Sequence, residues 1–182
     1  MKSVLISIQP KWCEKIANGE KTIEVRKNRP NLETPFKCYI YCTIGNGIKG
    51  DYLVPSGIQC GKVIGEFVCD KVLEWEYLPV HTDENEYEYY IVSKDGHATC
   101  LTYDEIENYG KGKPLYGWHI SDLKIYDKPK ELSEFGQKCD MVYEIRCRDC
   151  LIRKGWDECC EVMCKPLARP PQSWCYVESL GE

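Results

Sequence analysis

Strand-like segments follow one another through this chain with little helix between them, and that order restricts the fold more than any other feature. An apolar run, SVLISIQ, is ended by Pro10. PKWCEKIANG then reads as a helix, with Pro at its start, Gly19 at its C-cap, and Trp12, Cys13, Ile16 and Ala17 as one apolar stripe. KTIEVRK alternates with period two, and so does FKCYIYCT, which sets Phe36, Cys38, Ile40 and Cys42 on one face and Lys37, Tyr39 and Tyr41 on the other. A Gly-rich loop over 44–61 leads into GKVIGEFVCDKVLEWEYL, a long or bent strand in which Gly65 would mark a bulge. An acidic connection runs into YEYYIVS. LTYDEIENYG is a short helix, because Thr102 and Glu105 form a capping box and Gly110 ends it. YGWHISDLKIY is a strand stopped before Pro129, KELSEFG adds a helical turn, and SWCYVES is a last short strand. Six or seven strands with two or three short helices, in an order that does not alternate strictly, argue against a doubly wound parallel sheet. The pattern predicts an α+β fold built on a small mixed β-barrel decorated by helices.

No apolar run of about 18 residues is present, so no membrane span is expected. The N-terminus carries one Lys and a short apolar run without a small-residue cleavage site, and reads as a first strand of a cytoplasmic protein. The net charge of −5 argues against a broad electrostatic nucleic-acid binder. The charge is uneven, however. Residues 11–29 hold six Lys/Arg against three Glu, while residues 70–109 hold eleven acids against two Lys. A local basic rim on an acidic body suits a small anionic ligand or a short nucleic-acid element.

The basic stretch, NGEKTIEVRKNR, holds the candidate site. On a strand, Thr22, Glu24 and Arg26 share one face and Ile23 and Val25 the other, while Lys21 sits at the helix-to-strand turn. Such a set can receive an anion on Arg26 and Lys21 while Glu24 accepts from an exocyclic amine; on an exposed strand it is a solvated ladder. Trp12, Trp75 and Trp118 read as core, His81 and His97 as solvated, and Tyr39 and Tyr41 as half-exposed strand tyrosines able to stack a base. His119 follows Trp118 on a strand and is a further candidate.

SIQPKWCEKIANGEKTIEVRK resembles the start of ASCH domains, a branch of the PUA-like superfamily. The family pattern G-x-K-x-x-E-x-R is matched by Gly19, Lys21, Glu24 and Arg26. GKVIGEF and YGWHI sit where that family has barrel strands, so the resemblance covers roughly residues 3–127 and the closing strand near 173–178. It implies a PUA-like barrel of five to six strands over residues 1–138, a Cys-rich insertion at 139–170, and a closing strand and tail at 171–182. The ending RPPQSWCYVE is similar to small proteins of bacteriophages and Gram-positive bacteria. What the resemblance implies for function is a module that binds RNA or a modified nucleotide in a cleft lined by Lys21, Glu24 and Arg26. Lys11 and Arg29 would form its phosphate-side rim, with Trp118 and His119 beside it. The alternative it implies is an enzyme, an amidohydrolase acting on N4-acetylcytidine-like substrates or a ribonuclease using the same cleft. The family's amidohydrolases use Lys, a Thr three residues later and a separate Glu. Here Lys21 matches but Glu24 stands at the Thr position, which weakens the enzyme reading and leaves Lys21, Glu24 and Thr22 as catalytic candidates.

Thirteen cysteines form the other feature, dispersed in the first half and crowded from Cys147 on. In CRDCLIRKGWDECCEVMC, Cys147 and Cys150 make a C-x2-C knuckle, and Cys159 or Cys160 with Cys164 supplies a second pair. This spacing predicts a closed structural Zn2+ site that would fold a segment too polar to fold alone. A zinc-held adaptor surface for a protein partner is a third reading.

Overall fold

A computed structural model describes residues 3–44, 57–81, 86–90, 94–137 and 165–179. The strands are β1 (Ser3–Ile8), β2 (Ile23–Arg26), β3 (Phe36–Cys42), β4 (Val63–Cys69), β5 (Val72–Trp75), β6 (Tyr77–His81), β7 (Glu86–Tyr90), β8 (Leu115–His119), β9 (Ser121–Lys130), β10 (Phe135–Gln137), β11 (Lys165–Pro166) and β12 (Trp174–Ser179). The α-helices are α1 (Pro10–Ala17) and α2 (Tyr103–Gly110), and short 3-10 turns cover Lys94–Thr99 and Leu132–Glu134. The chain divides into two compact units, one of Met1–Pro10, Lys37–Glu66 and Ile125–Glu182, the other of Lys11–Phe36 and Phe67–Lys124.

The first unit holds most of a seven-stranded sheet in the order β11-β10-β12-β1-β3-β4-β9. β1 pairs parallel with β3 and antiparallel with β12, which is the closing strand expected at the C-terminal end. Every residue of β1 is buried, Ser3 and Ser7 included, as expected of a strand covered on both faces. The α+β class holds, with more strands than the five to six expected. Among the described residues the sheet is open rather than closed into a barrel, with β11 and β9 at its edges. Tyr39 and Tyr41 are not stacking residues on a wet face. They are 2% and 5% exposed and pack with Leu5, Val63, Phe135 and Val177. Aromatic area counts for more in a core than two hydroxyls count against it. Burial also pushes the Tyr41 phenol up from its ordinary pKa.

In the second unit, β2-β8-β5 form a three-stranded antiparallel sheet, with β6 and β7 as a separate hairpin. Its core joins Ile23 and Val25 of β2 to Trp75, Ile106 and Leu115. Gly117 stands where a Cβ would lie 2.9 Å from Ile23 and 3.1 Å from Trp75, so the indole crosses the sheet over the one residue that leaves it room. α2 begins with the expected capping box: Thr102 Oγ1 accepts from the Glu105 N–H, and Glu105 Oε2 accepts from the Thr102 N–H. Its left-handed cap is Lys111 (φ 53°), one residue beyond the glycine expected there.

Three strand boundaries differ from the pattern. The long strand breaks at Asp70–Lys71, where β4 gives way to β5, and Gly65 lies inside β4. YGWHISDLKIY divides at Ile120 into β8 and β9. β9 then continues through Pro129, because an edge strand has a side on which a missing N–H goes unused. No helix among the described residues is long and apolar enough to cross a membrane.

Candidate functional site

The end of α1 delivers Lys21. Gly19 takes the left-handed conformation (φ 75°), and the N–H groups of Glu20 and Lys21 both donate to the Lys15 carbonyl, closing the helix and turning the chain into β2. The Thr22 N–H donates to the Ala98 carbonyl, and the Thr22 carbonyl accepts from Ile120, which fixes the entry to the strand.

From this turn the Lys21 side chain runs inward and is 2% exposed. Its Nζ donates to the carbonyls of Thr99 at 2.7 Å and Ile23 at 2.8 Å, and lies 3.4 Å from Glu24 Oε2. Two of its three ammonium protons are thus taken by carbonyls, and Glu24 Oε2 faces it as an ion-pair partner. Glu24 Oε1 lies 3.0 Å from Arg26 Nη2. Glu24 Oε2 makes an ion pair with Lys21 but no hydrogen bond among the described residues, so this buried oxygen keeps acceptor capacity. The Trp12 ring lies 5.3 Å from Lys21 Nζ, within cation–π range. Burial lowers the Lys21 pKa from its ordinary value, and the Glu24 charge opposes that shift. The result is a cation–carboxylate–cation row, closed at Lys21 and most open at Arg26, whose side chain is 11% exposed.

The remaining candidates are placed differently. Glu24 stands across from Trp118 and Arg26 across from Tyr116 in the β2–β8 register. Trp118 is fully buried against the Phe36 ring at 5.7 Å, so it backs the row from within the sheet. His119 falls on the opposite face by strand alternation, and its Nδ1 lies 2.6 Å from Asp70 Oδ1. Lys11 is exposed, 3.3 Å from Glu105 and 4.1 Å from the Trp12 ring centre. Arg29 is exposed, and Thr22 is half-buried. Cys147, Cys150, Cys159, Cys160 and Cys164 lie outside the described residues.

Sequence reasoning missed Thr99 and the part played by Trp12. Thr99 is fully buried, its carbonyl receives Lys21, and its hydroxyl accepts from the Leu101 N–H at 3.1 Å. Nothing in the local pattern at Thr99 marks it, since its partner is 78 residues away. By spacing Trp12 falls on the apolar stripe of α1, and only the turn geometry brings Lys21 to its ring.

The ASCH domain profile matches residues 6–146. No curated protein sequence matches the chain. Among solved structures, the crystal structure of ASCH from Zymomonas mobilis is similar, with a TM-score of 0.56 and 17% identity over 97% of this chain and 87% of that one. Crystal structures of two ZmASCH mutant proteins, one with Tyr changed to Phe and one with Ser changed to Ala, each give a TM-score of 0.55 and 18% identity. They cover 98% and 97% of this chain, and 91% and 88% of their own. At such identity the likeness establishes the fold and assigns no residue a role. With the profile spanning residues 6–146, the chain belongs to the ASCH domain family.

Proposed function

We propose that this chain is a binding module for RNA or a nucleotide, and that the Lys21–Glu24–Arg26 row is where the ligand is held. The ASCH family suggests a function related to RNA or nucleotides. The observation that carries the site is the buried row itself, in which Glu24 Oε2 retains acceptor capacity between two cations. A buried strand that carries charge holds it at the cost of desolvation, and recognition of a polar ligand is a reason to retain it. In this reading Arg26 meets an anionic group, Glu24 accepts from an exocyclic amine, and Lys11 and Arg29 contact phosphate. Lys21 holds Glu24 in place by its charge, since two of its protons are already engaged by carbonyls. Trp118 supports β2 from behind.

A titration of fluorescently labelled short RNA, with cytidine monophosphate as competitor, tests this reading. Saturable binding that weakens roughly tenfold or more in Arg26→Ala is expected, the size of a lost hydrogen bond to a charged group. Absence of saturable binding, or affinity unchanged in Arg26→Ala, overturns it.

The depressed Lys21 pKa favours a second reading, since an amine more easily deprotonated is a better general base. An amidohydrolase would release cytidine from N4-acetylcytidine in the presence of the unmutated protein and not of Lys21→Ala. Equal recovery of intact substrate from both removes that reading.

A further inference from the structure

Cys42 ends β3, and the segment entering β4 turns back along it. The Cys42 carbonyl accepts from the Gly61 N–H at 2.8 Å, while the Cys42 N–H donates to the Lys62 carbonyl at 2.9 Å. Two residues therefore oppose one, with Gly61 in the left-handed region (φ 82°), which is the geometry of a β-bulge. The bulge turns Cys60 toward Cys42 and places the two Sγ atoms 3.6 Å apart. Both residues are fully buried and carry thiols rather than a disulfide. Ile44 lies beneath the bulge, its Cδ1 3.1 Å from the place a Gly61 Cβ would take.

We propose that Cys42 and Cys60 are a dithiol pair that oxidises in the native protein to an intramolecular disulfide, joining the end of β3 to the entry of β4. The sulfurs are already in van der Waals contact, and bond formation needs them to close to about 2.05 Å, a movement within reach of side-chain rotation. The bulge hydrogen bonds hold the two backbones in register, so the pair does not depend on a chance encounter. The oxidant is a low-molecular-weight disulfide. One thiol, as thiolate, attacks it; a mixed disulfide forms and the reagent's first thiolate leaves, taking up the proton released. The second protein thiolate then attacks the protein's sulfur of the mixed disulfide and expels the reagent's second thiolate, which takes up the second thiol's proton. Two protein thiols become one disulfide, and one reagent disulfide becomes two thiols.

Burial sets the character of the pair. Buried thiols meet a reagent only when the bulge opens, so this pair oxidises more slowly than the half-buried Cys100. Once formed, the bond is shielded from reductant by the same burial. The pair acts as a slow latch rather than a rapid sensor.

The test uses the whole native protein incubated with oxidised glutathione, sampled over time, alkylated and mapped as peptides by mass spectrometry. The expected result is a Cys42–Cys60 cross-linked peptide that accumulates without denaturant, appears after Cys100 has been modified, and reverts to two alkylated peptides on reduction under denaturing conditions. The proposal is overturned if Cys42 and Cys60 remain separately alkylated at long times, or if the cross-link forms only in denaturant.

Discussion

β2 and β3 present the same alternation and reach burial by different chemistry. In each, a period-two pattern implies one dry face and one wet face, yet β2 buries Ile23, Glu24 and Val25 in succession, and β3 buries all its residues except Lys37. The second face of β3 is buried because Tyr39 and Tyr41 bring apolar area to Leu5, Val63, Phe135 and Val177. The second face of β2 is buried because a cation from the preceding turn and one from the strand itself bracket Glu24. One strand is held by area, the other by mutual neutralisation. The second arrangement is cooperative in a way the first is not, since the loss of any member leaves the others charged and dry.

The largest effects test that difference directly. Phe135→Ala empties a fully buried aromatic site and costs about 3–5 kcal/mol of stability, as such truncations do. Glu24→Ala leaves Lys21 and Arg26 without their counter-charge and costs a similar amount, about 3–5 kcal/mol. The two diverge when more is removed. Replacing Lys21, Glu24 and Arg26 together by apolar residues of similar size costs less than Glu24→Ala alone, because no charge is left to desolvate. Urea unfolding of the three variants gives the ordering. A triple variant less stable than Glu24→Ala would mean that the row is a net source of stability and that the contrast between the strands is wrong.

A smaller effect sharpens the same comparison through pH. Burial lowers the Lys21 pKa from the ordinary 10.5, so between its folded value and 10.5 the unfolded chain binds more protons than the folded one. Stability then rises with pH across that window, relative to a Lys21→Met variant in which the group is absent. The 13Cε resonance of Lys21 in labelled protein should accordingly show a midpoint below 10.5. A midpoint at or above 10.5 would show that pairing with Glu24 outweighs burial.

How far the sequence could be read follows from the reach of each interaction. α1, its Gly19 cap and the capping box of α2 were legible because their determinants lie within a few residues of one another. The G-x-K-x-x-E-x-R pattern marked Lys21, Glu24 and Arg26, and the structure does bring these three together. Their burial was not legible, since alternation reports which residues share a face and not what covers that face. Thr99, 78 residues from Lys21 along the chain, was beyond any local rule. Tyr39 and Tyr41 were misread for the same reason, as the cover over them comes from Phe135 and Val177 far along the chain. The pattern points to Gly65 as a bulge, and the bulge geometry is found at Gly61, opposite Cys42.

The smallest effect belongs to an exposed carboxylate pair of the same unit, and it serves as the counterpart of the β2 row. Asp70 Oδ1 lies 2.6 Å from His119 Nδ1, a closer approach than any in the row, yet the two side chains are 47% and 40% exposed. Water screens such a pair and solvates either partner when the other is lost, so Asp70→Asn should cost less than about 0.5 kcal/mol. The hydrogen bond with His119 is the main reason the Asp70 carboxyl titrates below its ordinary value of 3.8. Because that folded-state value is depressed, the contribution is present above 3.8 and is lost as pH falls through the lower folded value. The small stability difference between the unmutated protein and Asp70→Asn should therefore vanish in strong acid. A loss of about 2 kcal/mol, the size seen when buried polar groups lose a partner, would place this pair in the same class as Glu24. Distance would then outweigh exposure in setting the worth of an ion pair in this fold.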